Sequence, residues 1–307
     1  MRVAVSGASG RLGRALVAAL ADAPFTGLAG PLAWDRTAFD LDAPGEVGAL
    51  LDRDRPEVVV HAAAWTDVDG CALEPDLAMR RNGAATGALA EACAERGIDL
   101  LAISTNEVFD GRRLDACGYE PSDPPTPGNP YGASKLAGER QAQAAFDRRP
   151  GASLGIVRTA WLFGAPGRDF PSRILDAADR AATAGEALRV VGDEWGTPTY
   201  EADLAEAVVR LLAADAIVGI HHVVNGHVAS RADWARDAVR RAGLDIEVVD
   251  VPMAAWARPS TPPRWGVLAP TALPSGEPLR RWTDAMADYA PALLRARRTG
   301  QAGPARR

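Results

Sequence analysis

The chain has 307 residues, 47% hydrophobic and 24% charged, with a formal net charge of −6. This composition leaves room for one large α/β domain, or one plus a smaller lobe, and its acidic balance argues against nucleic acid as a partner. Cys71, Cys93 and Cys117 form neither a metal spacing nor an even disulfide set, and no apolar run reaches the ~18 residues of a membrane span, so a cytoplasmic protein with no membrane partner is expected.

Met1-Arg-Val-Ala-Val5 enters a first strand at 2–6 directly, which leaves no room for a signal peptide. A helix is read at 12–20, opening on a glycine-rich loop. A strand at 32–34, a helix at 46–51 and a buried strand at 57–61 follow. Helical stretches at 76–80 and 86–96 precede a strand at 98–104. This alternation specifies an α/β fold, a Rossmann-type doubly wound parallel sheet with helices on both faces. Ligands of such sheets gather at the carboxyl ends of the strands, near the switch in strand order. Residues 119–130 carry Pro121, Pro124, Pro125, Pro127 and Pro130 and read as a loop. After a strand at 153–157 the alternation loosens. Helices are read at 170–184, 202–213 and 231–242, short strands at 188–191, 219–224 and 246–249, an irregular proline-rich stretch at 252–278, and a last helix at 279–290. Residues 1–160 are assigned to a dinucleotide-binding core, to which a segment around 201–225 returns. Residues 161–294 are assigned mainly to a small C-terminal substrate lobe, and 295–307, with five Arg plus Gly and Pro, to a disordered basic tail.

Gly7, Gly10 and Gly13 stand in a GxxGxxG run between strand and helix, with Ser9, Arg11 and Leu12 among them. Glycine lets the backbone turn sharply and approach a pyrophosphate, and the helix N-terminus offers free N–H groups, so NADPH or NADH is the expected cofactor. Asp35 and Arg36 follow the second strand. An acid there suits the ribose hydroxyls of NAD and a base the 2′-phosphate of NADP, so the pair leaves specificity open. Asp40, Leu41 and the small residues Ala62, Ala63 and Ala64 complete the expected cofactor wall. Tyr131 and Lys135, four apart, share one helix face. Positive charge beside a phenol lowers its pKa from ~10 toward the range useful in acid-base catalysis. Ser104-Thr105 closes the preceding strand, where a hydroxyl either holds a substrate carbonyl or caps the strand end. Asn82 is expected on a helix, holding a backbone carbonyl or water near Lys135 or acting as a cap. The glycine run and the Tyr/Lys pair, in this order, point to a nicotinamide-dependent oxidoreductase.

Ala62-Ala-Ala-Trp-Thr-Asp-Val-Asp69, Ser104-Thr-Asn-Glu-Val-Phe-Asp-Gly111, Tyr131-Gly-Ala-Ser-Lys-Leu-Ala-Gly-Glu139, Arg158-Thr-Ala-Trp161 and Gly196-Thr-Pro-Thr199 together resemble the dTDP-4-dehydrorhamnose reductase family, a branch of the extended short-chain dehydrogenases. The resemblance runs from residue 1 to about 290. It implies a Rossmann domain with a small lobe for a nucleotide-sugar, and NAD(P)H reduction of the C4 ketone of dTDP-4-dehydro-L-rhamnose. On that resemblance Thr105 takes the hydroxyl position, Tyr131 the general acid and Lys135 its partner. Thr66, Val68, Thr105, Asn106, Glu107, Trp161, Gly196, Thr197, Pro198 and Thr199 fall on the substrate side, with core packing as the other reading of Trp161. Where the family usually has Thr-Asp-Tyr, this chain has Thr105-Asn106-Glu107, which changes the shape and charge of the sugar pocket. A different ketosugar is therefore a second reading. If Glu107 lies instead at the surface, it caps a turn or pairs with Arg112 or Arg113. Some members hold magnesium through acidic residues, one of them just after the glycine loop. Here Gly13-Arg14-Ala15 stands there, and no metal is expected. The resemblance also extends to the regulatory subunit of methionine adenosyltransferase, a dinucleotide-binding partner protein; the Tyr131/Lys135 pair argues against that reading. A monomer or homodimer is expected.

Overall fold

Six parallel strands form the centre of the computed structural model, which describes residues 1–165 and 169–299. They are β1 (Val3–Ser6), β2 (Leu32–Trp34), β3 (Val58–His61), β4 (Asp99–Thr105), β5 (Leu154–Thr159) and, much later in the chain, β10 (Gly219–His222). Their order across the sheet is β10-β5-β4-β3-β1-β2. β1 and β3 are buried throughout, as unbroken Val-rich runs must be when helices cover both faces. On one face, α1 (Arg11–Ala21) and α8 (Glu201–Ala213) bury Leu12, Leu16, Leu20, Leu204, Val208 and Leu211 against the sheet. On the other, α2 (Val47–Asp54), α5 (Ala85–Glu95) and α6 (Pro130–Arg148) bury Leu50, Leu51, Leu89, Ala142 and Phe146. From β1 the chain turns outward to β2 and then back to β3 on the opposite side. The order of winding reverses between β1 and β3, which opens a crevice at the carboxyl ends of those strands.

Two short helices, α3 (Val68–Leu73) and α4 (Pro75–Ala78), and a π-helical turn, Met79–Ala84, lead into α5. Beyond β5 come the two-residue strand β6 (Leu162–Phe163), α7 (Phe170–Ala184), β7 (Leu188–Val191), β8 (Trp195–Gly196) and β9 (Thr199–Tyr200). After β10 follow β11 (Ala229–Ser230), α9 (Arg231–Arg241), β12 (Val248–Val251) and α10 (Trp282–Arg298). β7 pairs with β12, β8 with β11, and β6 with β9. α7, α9 and α10 enclose a separate apolar cluster that includes Phe163, Leu175, Trp234, Met286, Tyr289 and Leu293. Among the described residues, no helix is long and apolar enough to cross a membrane.

Several sequence expectations need correction. Pro130 is the first residue of α6 rather than the last of the loop; its missing N–H costs nothing at that position. α3 was not anticipated. β10 stops at His222, short of 224, and β12 lies two residues later than 246–249. The last helix starts at Trp282 and continues through Pro291, because Leu293 extends its buried stripe and Arg295, Arg297 and Arg298 complement the dipole at its C-terminus. Residues 295–298 are therefore helical, and 300–307 of the expected tail lie outside the described residues.

Candidate active site

The glycine loop is shaped by close backbone approach. Gly7 has φ +70°, and a Cβ there would meet Ala63 N and Cα at 2.8 Å. A Cβ on Gly13 would come within 2.1 Å of Gly7 O. Only hydrogen fits at either position. Gly10 differs: its φ is −74° and a Cβ would find only Gly7 O, at 3.2 Å, within 4 Å. It is the N-cap of α1 with no side-chain cap, so the first N–H groups of α1 are left for a ligand. An open cradle of this kind fits the pyrophosphate of a dinucleotide.

Two adjoining cavities share Gly7, Gly10, Ala62 and Ala64 on their walls. The smaller, of about 270 Å³, also carries Ser9, Arg36, Asp40, Leu41, Ala63 and Arg81. Asp35 is not on its wall. The Asp35 carboxylate accepts from Thr37 N at 2.9 Å, Thr37 Oγ1 at 2.7 Å and Ala38 N at 3.1 Å, so it is consumed by its own turn. Arg36 and Arg81 both pair with Asp42, at 3.1 and 2.6 Å, which sets two guanidinium groups side by side.

The larger cavity, of about 460 Å³, brings Arg11, Leu12, Gly13, Thr66, Val68, Thr105, Asn106, Glu107, Tyr131, Lys135 and Trp161 to one wall system. β4 delivers Thr105 at its carboxyl end, and a 3-10 turn, Asn106–Val108, follows at once. Thr105 Oγ1 caps that turn by accepting from Glu107 N at 3.2 Å. Asn106 is buried and donates to Gly266 O at 2.9 Å. α6 enters from the opposite side with Asn129 as N-cap and presents Tyr131 and Lys135 one turn apart. Lys135 Nζ donates to Ile103 O at 2.8 Å, which pins the ammonium under the strand. One turn further, Glu139 makes a buried ion pair with Arg158 at 2.7 Å and accepts from Ser104 Oγ. Asn82, in the π-helical turn, holds the backbone of Trp65 through both its N–H (2.7 Å) and its O (2.9 Å), and donates to Ser134 Oγ at 3.1 Å. It is thus a clamp between the Ala62–Trp65 segment and α6 rather than a helix cap.

The electrostatics correct one expectation. The spacing argument has Lys135 lowering the Tyr131 phenol. In the structure the phenol is raised, first by burial and then by the charge of Glu107, with a contact to Thr105 opposing. Burial lowers Lys135 to about 8, against the charge of Glu139. The phenol therefore holds its proton at neutral pH and is an acid. His61, behind the glycine loop between Ser6 Oγ (2.7 Å) and Thr86 Oγ1 (3.1 Å), is pushed to about 3 by burial and by Lys135, so it is neutral and structural.

Glu107 faces the cavity, not Arg112 or Arg113. Its Oε2 accepts from Asn129 Nδ2 at 2.7 Å, and burial raises it to about 7. Trp161 has φ +46°, a backbone strain that clusters at functional sites. Its ring lies on the cavity wall beneath the guanidinium of Arg231, 3.6 Å from the ring centroid, and stacks on Trp234 at 5.8 Å. Trp161 thus packs against the interior of the lobe with one part of its ring while lining the cavity with another. Gly196 lies directly behind this ring, where a Cβ would meet it at 2.5 Å. Thr197 and Thr199 are buried, and the segment 196–199 backs the wall rather than forming it.

Sequence reasoning missed Asp169, Phe170, Arg173, Arg231 and Trp234, which reach the same cavity from α7 and α9 and the residue before α7. Ser230 and Asp233 form a readable capping box at the start of α9, but no local pattern says that Arg231 turns toward a cavity some 100 residues away in sequence.

The sequence profile of the RmlD substrate binding domain matches residues 1–294. The chain is 37% identical over 298 residues to the dTDP-4-dehydrorhamnose reductase of Streptomyces griseus, covering 94% of this chain and 93% of that protein. It is 36% identical to the dTDP-4-keto-6-deoxy-D-glucose reductase of Streptomyces niveus, covering 94% and 96%. Among solved structures, a dTDP-4-dehydrorhamnose reductase from Bacillus anthracis in complex with NADP superposes with a TM-score of 0.82 at 29% identity, covering 94% of this chain and 98% of that one.

Proposed function

The chain belongs to the RmlD substrate-binding-domain family, and from that membership we propose that it reduces the C4 ketone of a dTDP-4-keto-6-deoxysugar with NAD(P)H, the substrate being dTDP-4-dehydro-L-rhamnose. The observation that carries the reading is the meeting of Thr105, Tyr131 and Lys135 on one cavity that runs into the glycine loop. The loop and the first turn of α1 hold the dinucleotide phosphates. When bound, the nicotinamide supplies the hydride. Thr105 donates to the ketone oxygen. Tyr131, kept protonated by burial and by Glu107, gives its proton to the oxygen as charge develops there. Lys135, fixed by Ile103 O, brings a positive charge to the same site. Trp161 and Arg231 form the far wall, against which the sugar rests. Arg36 and Arg81 favour a 2′-phosphate, and hence NADPH, because Asp35 is turned into its own loop.

The test is NADPH oxidation with dTDP-4-dehydro-L-rhamnose, the product being identified by NMR. Absence of ketosugar-dependent NADPH loss would sink the reading. Glu107 favours a second reading in which the chemistry stays and the sugar changes. The ratio of kcat/KM values across several dTDP-4-ketosugars separates the two.

A further inference from the structure

A reductase needs a proton donor and a hydride at its ketone, and nothing more. This cavity holds in addition a carboxylate. Glu107 stands two residues beyond Thr105, on the 3-10 turn that follows β4, and shares the cavity with Thr105 and Tyr131. Asn129 Nδ2 holds its Oε2 at 2.7 Å, and Asn129 is the cap of the helix that carries Tyr131, so base and acid are fixed to one frame. The two cations that act on its charge are committed elsewhere. Arg231 pairs with Glu194 at 2.8 Å and Arg258 with Asp69 at 3.0 Å. Among the described residues Glu107 has no ion pair. Its charge is thus left for chemistry, and Tyr131, Cys71, Glu194, Arg231 and Arg258 are among the charged or titratable groups coupled to it.

A ketone makes the hydrogens on its two neighbouring carbons acidic, and removing one requires a base at the carbon and an acid at the oxygen. We propose that Glu107 is a general base for proton abstraction next to the C4 ketone, giving the protein a second activity: exchange of the hydrogen at C3 or C5 of a dTDP-4-ketosugar with solvent. The inference rests on the ketosugar reading above. In the step, the C–H bond breaks and its proton passes to the Glu107 carboxylate. The electron pair forms the C=C bond of an enol while Tyr131 protonates the ketone oxygen. While the enol stands, the Glu107 carboxylic acid trades its proton for one from solvent through the cavity; the enol O–H then returns its proton to the Tyr131 phenolate, and the carbon takes the solvent-derived proton from Glu107. No oxidant or reductant is consumed. A carboxyl held near neutrality is half ionised at working pH, which suits both directions of the transfer.

The experiment incubates the full-length protein with NADP⁺ and a dTDP-4-keto-6-deoxysugar in D₂O, following H3 and H5 by proton NMR and the sugar mass by one unit. NADPH-driven reduction of the same ketosugar is measured on the same preparation. Enzyme-dependent loss of H3 or H5 signal is expected, and Glu107→Gln should slow it about 10²-fold or more. Glu107→Asp should recover part of the exchange. Wild-type protein that reduces the ketosugar but leaves H3 and H5 in place overturns this proposal alone. Protein that does neither overturns the reductase reading with it. Exchange that persists undiminished in Glu107→Gln also overturns the proposal. Absence of exchange in the wild type overturns the proposal without any variant, and where Glu107→Gln does not fold, Glu107→Asp carries the same comparison.

Discussion

Asn129 serves Glu107 and α6 with one side chain: its Nδ2 donates to Glu107 Oε2 at 2.7 Å, and its Oδ1 caps the helix by accepting from Gly132 N at 2.9 Å. The contact also lowers the Glu107 pKa against the upward push of burial. Asn129→Ala removes both interactions. Loss of the cap should cost roughly 0.5–2 kcal/mol in urea denaturation. The Glu107 carboxyl should titrate above about 7, which ¹³C-labelled glutamate NMR reads directly. An unchanged titration midpoint would show that the hydrogen bond has no hold on the carboxyl.

Tyr131→Phe should lower kcat by ~10²–10⁴-fold, the usual share of a general acid. NADPH affinity, followed by fluorescence titration, should change little, because the phenol is assigned to the ketone end of the cavity. A variant that keeps more than about half of the wild-type rate is incompatible with the assigned acid.

The loop glycines should separate by phenotype. Gly10 has a negative φ, and a Cβ there meets only Gly7 O, at 3.2 Å, a contact that a shift of a few tenths of an ångström relieves, so Gly10→Val should fold and lose NADPH affinity. Gly13→Ala places a methyl 2.1 Å from Gly7 O and should cost about 1–3 kcal/mol of stability. Melting temperature and NADPH titration on both variants check the contrast; equal NADPH affinity in folded Gly10→Val would remove the loop from the site.

Arg36 is the exposed cation on the wall of the smaller cavity. Arg36→Ala should lower the NADPH-to-NADH ratio of kcat/KM by about tenfold, equivalent to ~1.4 kcal/mol. If both cofactors lose equally, the side chain contributes to binding without reading the 2′-phosphate.

Glu201, the first residue of α8, is buried and raised to about 8 by burial, and its Oε2 has no hydrogen-bond partner. The folded state therefore binds more protons than the unfolded state between about pH 4.5 and 8, and stability falls as pH rises through that window. Glu201→Gln abolishes this linkage. Its loss of stability from pH 5 to 8, measured by urea denaturation, should be smaller than that of the wild type by at least about 1.4 kcal/mol, the value of one pKa unit. Parallel stability curves would show that Glu201 is charged in the fold.

Legibility in the sequence followed the range of the interaction. The Gly7 loop, β1, β3 and the Tyr131/Lys135 face are set by neighbours within one turn or one strand, and periodicity and glycine spacing suffice for them. The direction of the Tyr131 pKa shift is not local. It depends on burial under elements from distant parts of the chain and on Glu107, so pairing with Lys135 gave the wrong sign. Asp35 illustrates the same limit at short range: the sequence puts an acid after β2, but only the turn made with Thr37 and Ala38 reveals that its oxygens are spoken for. Arg231 and Trp234 reach the cavity through the packing of α9, which leaves no trace in their immediate sequence. α10 runs through Pro291 because tertiary burial of Leu293 outweighs a local breaker.

The placement of β10 beside β5 sets a timetable for synthesis. β1 and α1 emerge from the ribosome first, but α8, the helix packed beside α1 on its apolar face, begins at Glu201, and β10, which pairs with β5 and becomes the outer strand, ends at His222. For most of translation the nascent chain therefore carries an unprotected apolar flank and an unpaired edge at β5, both prone to association with other chains. The second cluster, begun by Phe163 and Leu175 in the intervening segment, is joined by Trp234 after β10 and completed by Tyr289 and Leu293 only as the chain nears its end. The two cores interlock in time as well as in space, and holdase chaperones should meet this protein chiefly between the emergence of β5 and that of β10.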